Sequence, residues 1–380
     1  DRQRAPHSPP SALAMTDADA QPAASPSRKR PLDPSPATSS TRPARPAPLA
    51  RFGAIADVQY ADVDDAWNFK KTQRRRYRGA LDCLRNAVDA WRQCDPPLDF
   101  VIDLGDIIDQ LCEANADSRR ALGLVLAEFA RIPQTVYHTL GNHELYNFSR
   151  RECEELIPNI TPWFRSVQIA PGWRMVTLDC YDINMIERGV EETIEEGLAF
   201  LSRHNPNDLR APRGSVDVSL GLQGAQRRFL PMGGAMKAEQ LRWLGAELRA
   251  MRGAGERAVV LTHVPVLPEC TVYGALVWNY DEVLEVMRSA GCGTVALVLA
   301  GHFHDGGYAF DKAGGTHHLT LPSPLHTSPE DPRAHCVIEV HEDRVEIVGA
   351  GLVPSRTLGL EPLAGEALAD AAAAVEGAVG

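Results

Sequence analysis

Short apolar runs recur through the middle of this 380-residue chain, and each stops on the same kind of residue. The run 52–56 stops at Asp57, and 98–104 stops at Gly105-Asp106. The run 134–140 stops at Gly141-Asn142-His143, 258–261 at Thr262-His263, and 295–299 leads into Gly301-His302-Phe303-His304. Their length and their Val, Ile and Leu content predict strands. Between them the spacing changes to threes and fours. Tyr77, Leu81, Leu84, Val88 and Trp91 predict a helix over 72–91; Leu241, Leu244, Leu248 and Met251 predict another over 238–251. Helices are also expected over 118–130 and 280–290, and a strand over 173–178. Beyond 307 the pattern becomes strand, turn, strand, with runs at 316–321, 336–340 and 345–348. The alternation predicts a layered α/β protein with a largely buried sheet.

Three stretches break the pattern. Residues 1–48 are rich in Pro, Ser, Ala and Arg and have few large apolar side chains, so a disordered tail is expected. Arg28-Lys29-Arg30 within it reads first as a basic spot, with a nuclear signal or transit peptide as the functional alternatives. The chain begins with Asp, and Met15 is an internal candidate start. Residues 187–234 are polar and broken by Gly and Pro, with one helix expected over 191–201. They read as an insertion lying over a site. Residues 361–380 form an Ala-rich tail, which leaves 49–360 as the folded domain. Arg74, Arg75 and Arg76 are placed on the solvated face of the 72–91 helix.

Charge narrows the function. A net charge of -11 argues against general nucleic-acid binding, which needs a basic surface to release counterions. The eight cysteines contain no CxxC pair, which suits a reduced intracellular protein better than a disulfide scaffold. No apolar run reaches the roughly 20 residues of a membrane helix. The expectation is an intracellular, cytoplasmic monomer that acts on small molecules and not on nucleic acid or membrane.

Five strand ends that each present polar side chains suit a pair of divalent metals. Two ions about 3.5–4 Å apart lower the pKa of a bridging water and clamp the oxygens of an in-line displacement. Asp106 is the candidate shared carboxylate, because the preceding Gly allows a tight turn. Asp57, Gln59 and His304 complete one ion's set; Asn142, His263 and His302 complete the other's. His143 is left over, and an imidazole beside the metals can protonate a leaving oxygen or orient a phosphate. His138, His317, His318, His335 and His341 read as structural histidines, and Asp103 and Asp109 as turn or supporting residues. Tyr60, Tyr146, Trp278 and Tyr308 are candidates to stack on a base, core packing being their commoner use.

In order, Asp57-x-Gln59, Gly105-Asp106-Ile107-Ile108-Asp109, Gly141-Asn142-His143-Glu144, His263 and Gly301-His302-x-His304 resemble the calcineurin-like metallophosphoesterases. Longer stretches at 52–62, 141–148, 278–280 and 301–308 are similar to a narrower family, the manganese-dependent ADP-ribose/CDP-alcohol diphosphatases. The resemblance covers about 51–360. It implies an α/β sandwich of two mixed β-sheets flanked by helices, with the dimetal site at the strand ends. It further implies hydrolysis of the diphosphate linkage in ADP-ribose, CDP-choline and CDP-glycerol to a nucleoside monophosphate and a phosphorylated product. The implied cofactor is two divalent ions, manganese first and magnesium second. Asp57, Gln59, Asp106 and His304 would hold one ion, and Asp106, Asn142, His263 and His302 the other, with His143 assisting. Gln59 stands where most of the superfamily has His, as in the narrower family, and an amide oxygen suits manganese better than zinc. The stretch 321–325 departs from the family pattern and bears on substrate preference if it lines the base. The alternatives are a phosphomonoesterase or cyclic-nucleotide phosphodiesterase of the same superfamily, or a non-catalytic metal-binding scaffold.

Overall fold

A computed structural model describes residues 46–68, 71–211 and 215–363. The expected tails at 1–48 and 361–380 lie outside the described residues, apart from 46–48 and 361–363. In chain order the strands are β1 (Ala50–Ile55), β2 (Ala66–Trp67), β3 (Arg74–Arg75), β4 (Phe100–Asp103), β5 (Thr135–His138), β6 (Arg165–Ala170), β7 (Trp173–Thr177), β8 (Arg257–Leu261), β9 (Val295–Ala300), β10 (Gly307–Asp311), β11 (Thr316–Thr320), β12 (Ala334–Val340), β13 (Arg344–Gly351) and β14 (Arg356–Gly359).

Two six-stranded sheets dominate. The first has the order β14-β13-β12-β1-β4-β5 and the second β10-β11-β9-β8-β7-β6. In the first, β1, β4 and β5 are parallel, with Phe52 beside Phe100 and Val101 beside Val136; β12 runs antiparallel to β1. In the second, β7, β8, β9 and β11 are parallel, and β6 and β10 are antiparallel edges. Both sheets are mixed, as the family resemblance implies.

Alternation along the strands builds the layers. Phe52, Ala54, Phe100, Ile102 and Leu104 point inward and meet Met175, Val259, Leu261, Leu297 and Leu299 of the other sheet. Phe52 and Phe100 stack with ring centroids 4.7 Å apart. The alternate residues Ile55 and Val101 face the helices Tyr77–Arg92 and Ser118–Phe129; Val260 and Val298 face Ala238–Gly253 and Tyr280–Ser289. Covered on both faces, β9 has every residue buried, which is why its sequence is continuously apolar. Parallel order also brings the C-terminal ends of β1, β4 and β5 to one edge, opposite those of β8 and β9.

Some expectations are corrected. The first helix starts at Tyr77, not 72, because Arg74 and Arg75 pair with Trp67 and Ala66 in a two-stranded ribbon. The three arginines therefore precede the helix instead of lining its polar face. The helices Asn142–Asn147 and Arg150–Leu156 and the edge strands β6, β10 and β14 were not foreseen. The insertion contains the expected helix Glu191–Leu201 and also a small core of its own, including Leu198, Leu201, Leu222, Phe229 and Leu230. Trp278 is fully buried in that core and stacked on Phe200, so it does not stack on a base. Among the described residues no helix is long and apolar enough to cross a membrane, and all eight cysteines are unpaired.

Candidate metal centre

Each candidate residue lies just past a strand of the parallel cores. Asp57 and Gln59 follow β1, Asp106 follows β4 and Asn142 follows β5; His263 follows β8, and His302 and His304 follow β9. The structure brings Asp57, Gln59, Asp106, His263, His302, His304 and His143 together between the sheet ends, with Asn142 next to His143 at the start of the helix Asn142–Asn147. Asp106 is the centre. Its Oδ2 accepts from Nε2 of Gln59 at 2.9 Å and lies 3.3 Å from Nε2 of His263. Nε2 of Gln59 is in turn 2.9 Å from Nε2 of His304, which lies 3.6 Å from Oδ1 of Asp57. The rings of His263 and His302 are 5.2 Å apart. Atoms of Asp106, His263 and His302 converge within 4.8 Å of one another.

Unusual backbone makes this convergence possible. Asp57, Gln59, Asp106 and His302 adopt φ of 53°, 43°, 58° and 65°, a left-handed conformation that costs a non-Gly residue about 1–3 kcal/mol and collects at functional sites. Two glycines are required by close approach. A Cβ on Gly141 would stand 2.2 Å from Oδ1 of Asp106, and one on Gly301 would stand 2.4 Å from Oδ2 of Asp57. At Gly141 φ is -104°, open to any residue, so what requires glycine there is the room it leaves for a carboxylate.

The second layer of contacts was largely missed. Glu144 accepts from the backbone N–H groups of Asp106, Ile107 and Gly141, tying the β4 and β5 loops together. Burial, then the charges of Asp106 and Asp103, push its carboxyl up to about 8. The Tyr181 hydroxyl donates to Oδ1 of Asn142 at 3.0 Å. Ser323 donates to the Asp57 carbonyl, and its N–H donates to the His304 carbonyl. The departing stretch 321–325 is buried, and through Ser323 it is tied to the Asp57 and His304 backbone. Only Glu144, inside a four-residue motif, carried a signal that could have been read. Tyr181 and Ser323 are ordinary residues until the fold places them.

Electrostatics divide the histidines. Burial works against charge on His263, but the Asp106 carboxylate overrides it and holds the imidazole up at about 10. Burial, aided by His263, pulls His302 down to about 3. His304 is lowered by burial, then by Arg75 and His326. Asp106 itself is buried, yet His263 and His143 hold it below the usual carboxylate range, whereas burial raises Asp57. Nδ1 of His143 accepts from the Gln110 N–H at 2.9 Å, which leaves Nε2 as the donor atom, 3.9 Å from Oδ2 of Asp106.

The donor set fits divalent metal. Oε1 of Gln59 and Nε2 of His263 are buried without hydrogen-bond partners, a costly state that an ion relieves. Among the other candidates, His138 is paired with Asp103 and is structural. Asp109 caps the N–H of Leu111 and stands 3.6 Å from Nδ1 of His143. Tyr308 packs against His317 and under Arg356, and Tyr60 is buried beneath the helices. Tyr146 stands edge-on to His143, with ring centroids 5.4 Å apart.

Residues 50–306 match the calcineurin-like phosphoesterase family, and the chain belongs to it. That class, a hydrolase fold with metal-ligating residues at strand ends, agrees with the site just described. Within it, the chain is 34% identical over 331 residues to the manganese-dependent ADP-ribose/CDP-alcohol diphosphatase of Bos taurus, covering 82% of this chain and 94% of that protein. It is 37% identical over 330 residues to the Danio rerio protein of the same name, covering 82% and 98%. A crystal structure of a dimetal phosphatase from Danio rerio superposes with a TM-score of 0.75 at 37% identity, covering 83% of this chain and all of that one.

Proposed function

We propose that the protein is a two-metal diphosphatase cleaving the P–O–P linkage of ADP-ribose, CDP-alcohols and related nucleoside diphosphate compounds. The observation that carries this reading is the position of Oδ2 of Asp106, between Gln59 of one sheet and His263 of the other. In this reading Asp57, Gln59, Asp106 and His304 hold one ion and Asp106, Asn142, His263 and His302 the other. Relatives named as manganese-dependent support manganese as the ion. The amide oxygen of Gln59, harder than an imidazole, agrees with that choice. Bound metals would supply a nucleophile at neutral pH and charge compensation for the phosphates.

The chain's own residues do the rest. Asp57 accepts the His302 N–H through both carboxylate oxygens, fixing the β9 loop of the second sheet against the β1 loop of the first. The carbonyl of Leu104, 2.7 Å from Nδ1 of His263, orients that ring with Nε2 toward Asp106. His143 points its Nε2–H into the site, where it donates to a phosphate oxygen or to the departing one.

The test is turnover with manganese of ADP-ribose, CDP-choline, cyclic AMP and a phosphopeptide. AMP from ADP-ribose and CMP from CDP-choline are expected. Turnover confined to cyclic AMP or the phosphopeptide would replace this reading with the phosphodiesterase or phosphomonoesterase alternative; bound manganese without any turnover would indicate a scaffold. His143→Gln is expected to lower kcat about 10²-fold with metal content unchanged.

A further inference from the structure

At the end of the first sheet remote from Asp57 lies a second group of metal-competent side chains. Glu339 and His341 are two residues apart at the end of β12, and Glu346 on β13 stands directly opposite Glu339 in the ladder. Arg51 of β1, the cross-strand partner of Glu339, is six residues before Asp57 in sequence. At ~3.3 Å per residue the group is therefore about 20 Å from the candidate metal centre.

Two glutamates facing each other across an antiparallel pair repel, and such a pairing persists only when compensated. Arg51 Nε lies 2.8 Å from Oε1 of Glu339, and Arg344 Nε lies 2.6 Å from Oε1 of Glu346. Each arginine engages Oε1 of its glutamate. They do not account for His341. This residue is only 5% exposed, and its Nε2 is buried without a hydrogen-bond partner. That nitrogen stands 3.9 Å from Oε2 of Glu339. A buried ring nitrogen left unsatisfied costs about 1–3 kcal/mol. One donor atom from each of Glu339, His341 and Glu346 lies within 4.8 Å of the other two, a spacing that one ion can span.

We propose that Glu339, His341 and Glu346 bind one divalent ion, separate from the dimetal centre. One imidazole with two carboxylates is a mixed N/O set that suits a borderline ion such as zinc, in tetrahedral geometry with water as the fourth ligand. An all-oxygen ion such as calcium or magnesium would gain little from the imidazole. The glutamate side chains are 18% and 14% exposed, so the ion has a route in from solvent. Its work is structural. The His341 N–H donates to the Arg344 carbonyl to close the β12–β13 turn, and the ion ties the same two strands through side chains. Because Arg51 and Arg344 already offset the carboxylate charges, this site is weaker than the dimetal centre and fills after it. The assignment does not rest on the diphosphatase reading.

The experiment compares the full chain with His341→Gln and Glu346→Gln. Each is stripped of metal, dialysed against micromolar zinc and assayed for bound metal and thermal midpoint. One more zinc equivalent is expected in the wild type than in either variant, together with a zinc-dependent rise in Tm that the variants lack. Manganese-supported turnover should be the same in all three, which separates this site from the catalytic one. Equal zinc content across the three overturns the proposal and leaves only the Glu339–His341 side-chain contact in its place. Should neither variant fold, zinc-edge anomalous density in crystals of the wild type decides. A peak among the three side chains is expected, and its absence overturns the assignment.

Discussion

The two sheets bring different chemistry to the same place. Loops after β1, β4 and β5 of the first sheet contribute Asp57, Gln59, Asp106 and Asn142, all oxygen-bearing. Loops after β8 and β9 of the second contribute His263, His302 and His304, all imidazoles. The strain is uneven as well. Three of the four left-handed candidate residues, Asp57, Gln59 and Asp106, belong to the oxygen side, and His302 is the fourth. The oxygen side is also the more braced, with Glu144 taking three backbone N–H groups. Neither set alone balances charge and coordination. The first would be a buried acidic cluster, the second a set of imidazoles that burial keeps from charging. Their union, along the seam where Asp106 meets His263 and Asp57 meets His302, makes a mixed donor set for two ions.

The sharpest way to break this comparison is to remove the shared residue. Asp106→Ala should lower turnover by about 10³-fold or more, given that metal-assisted charge stabilisation amounts to several kcal/mol and each 1.36 kcal/mol is tenfold. It should deplete manganese at both positions, whereas His263→Ala should deplete one. Elemental analysis of the two variants checks this, and equal depletion would show that Asp106 is not shared.

The two glycines separate contacts within a sheet from contacts between sheets. Gly141→Ala intrudes on Asp106 from its own sheet's loop, and Gly301→Ala on Asp57 from the other sheet. Each should cost about 10² in kcat, the effect of an ångström-scale misplacement, and about 1–3 kcal/mol of stability through overpacking. Near-normal activity in either would mean that its carboxylate tolerates displacement.

The smallest effect is in acid stability, and each sheet supplies one probe. Burial pulls His318 of β11 down to about 3 and His335 of β12 down to about 4. Unfolded, both titrate near 6.5, so as pH falls below about 6.5 the unfolded chain takes up protons that the folded chain refuses. Stability is therefore full above that value and declines with acid, by at most about 1.4 kcal/mol per pH unit for each histidine. The decline ends near pH 4 for His335 and near 3 for His318. In urea unfolding, His318→Gln and His335→Gln should each shrink the stability difference between pH 7 and pH 5. An unchanged difference would show that the ring is not kept neutral by burial.

Apolar periodicity was enough to place β1, β4, β5, β7, β8 and β9, and Gly-Asp, Gly-Asn-His and Gly-His-x-His marked candidate residues just past strand ends, because those features are local. A strand must be apolar when both faces are covered, whereas the glycines that leave room for carboxylates answer to partners far along the chain, Gly141 to Asp106 and Gly301 to Asp57. What the linear order did not hold is pairwise contact across the fold. Arg74 and Arg75 were given to a helix because their ribbon partners, Trp67 and Ala66, are set by a turn and not by periodicity. Trp278 looked like a stacking platform until the insertion's core closed around it. Tyr181, Ser323 and the opposed Glu339–Glu346 pair acquire meaning only from neighbours many residues away. Hydrophobic pattern is written into each segment by its own burial. The partner of a polar atom is chosen by whichever group the packed sheets bring within about 3 Å of it, and that choice belongs to tertiary structure.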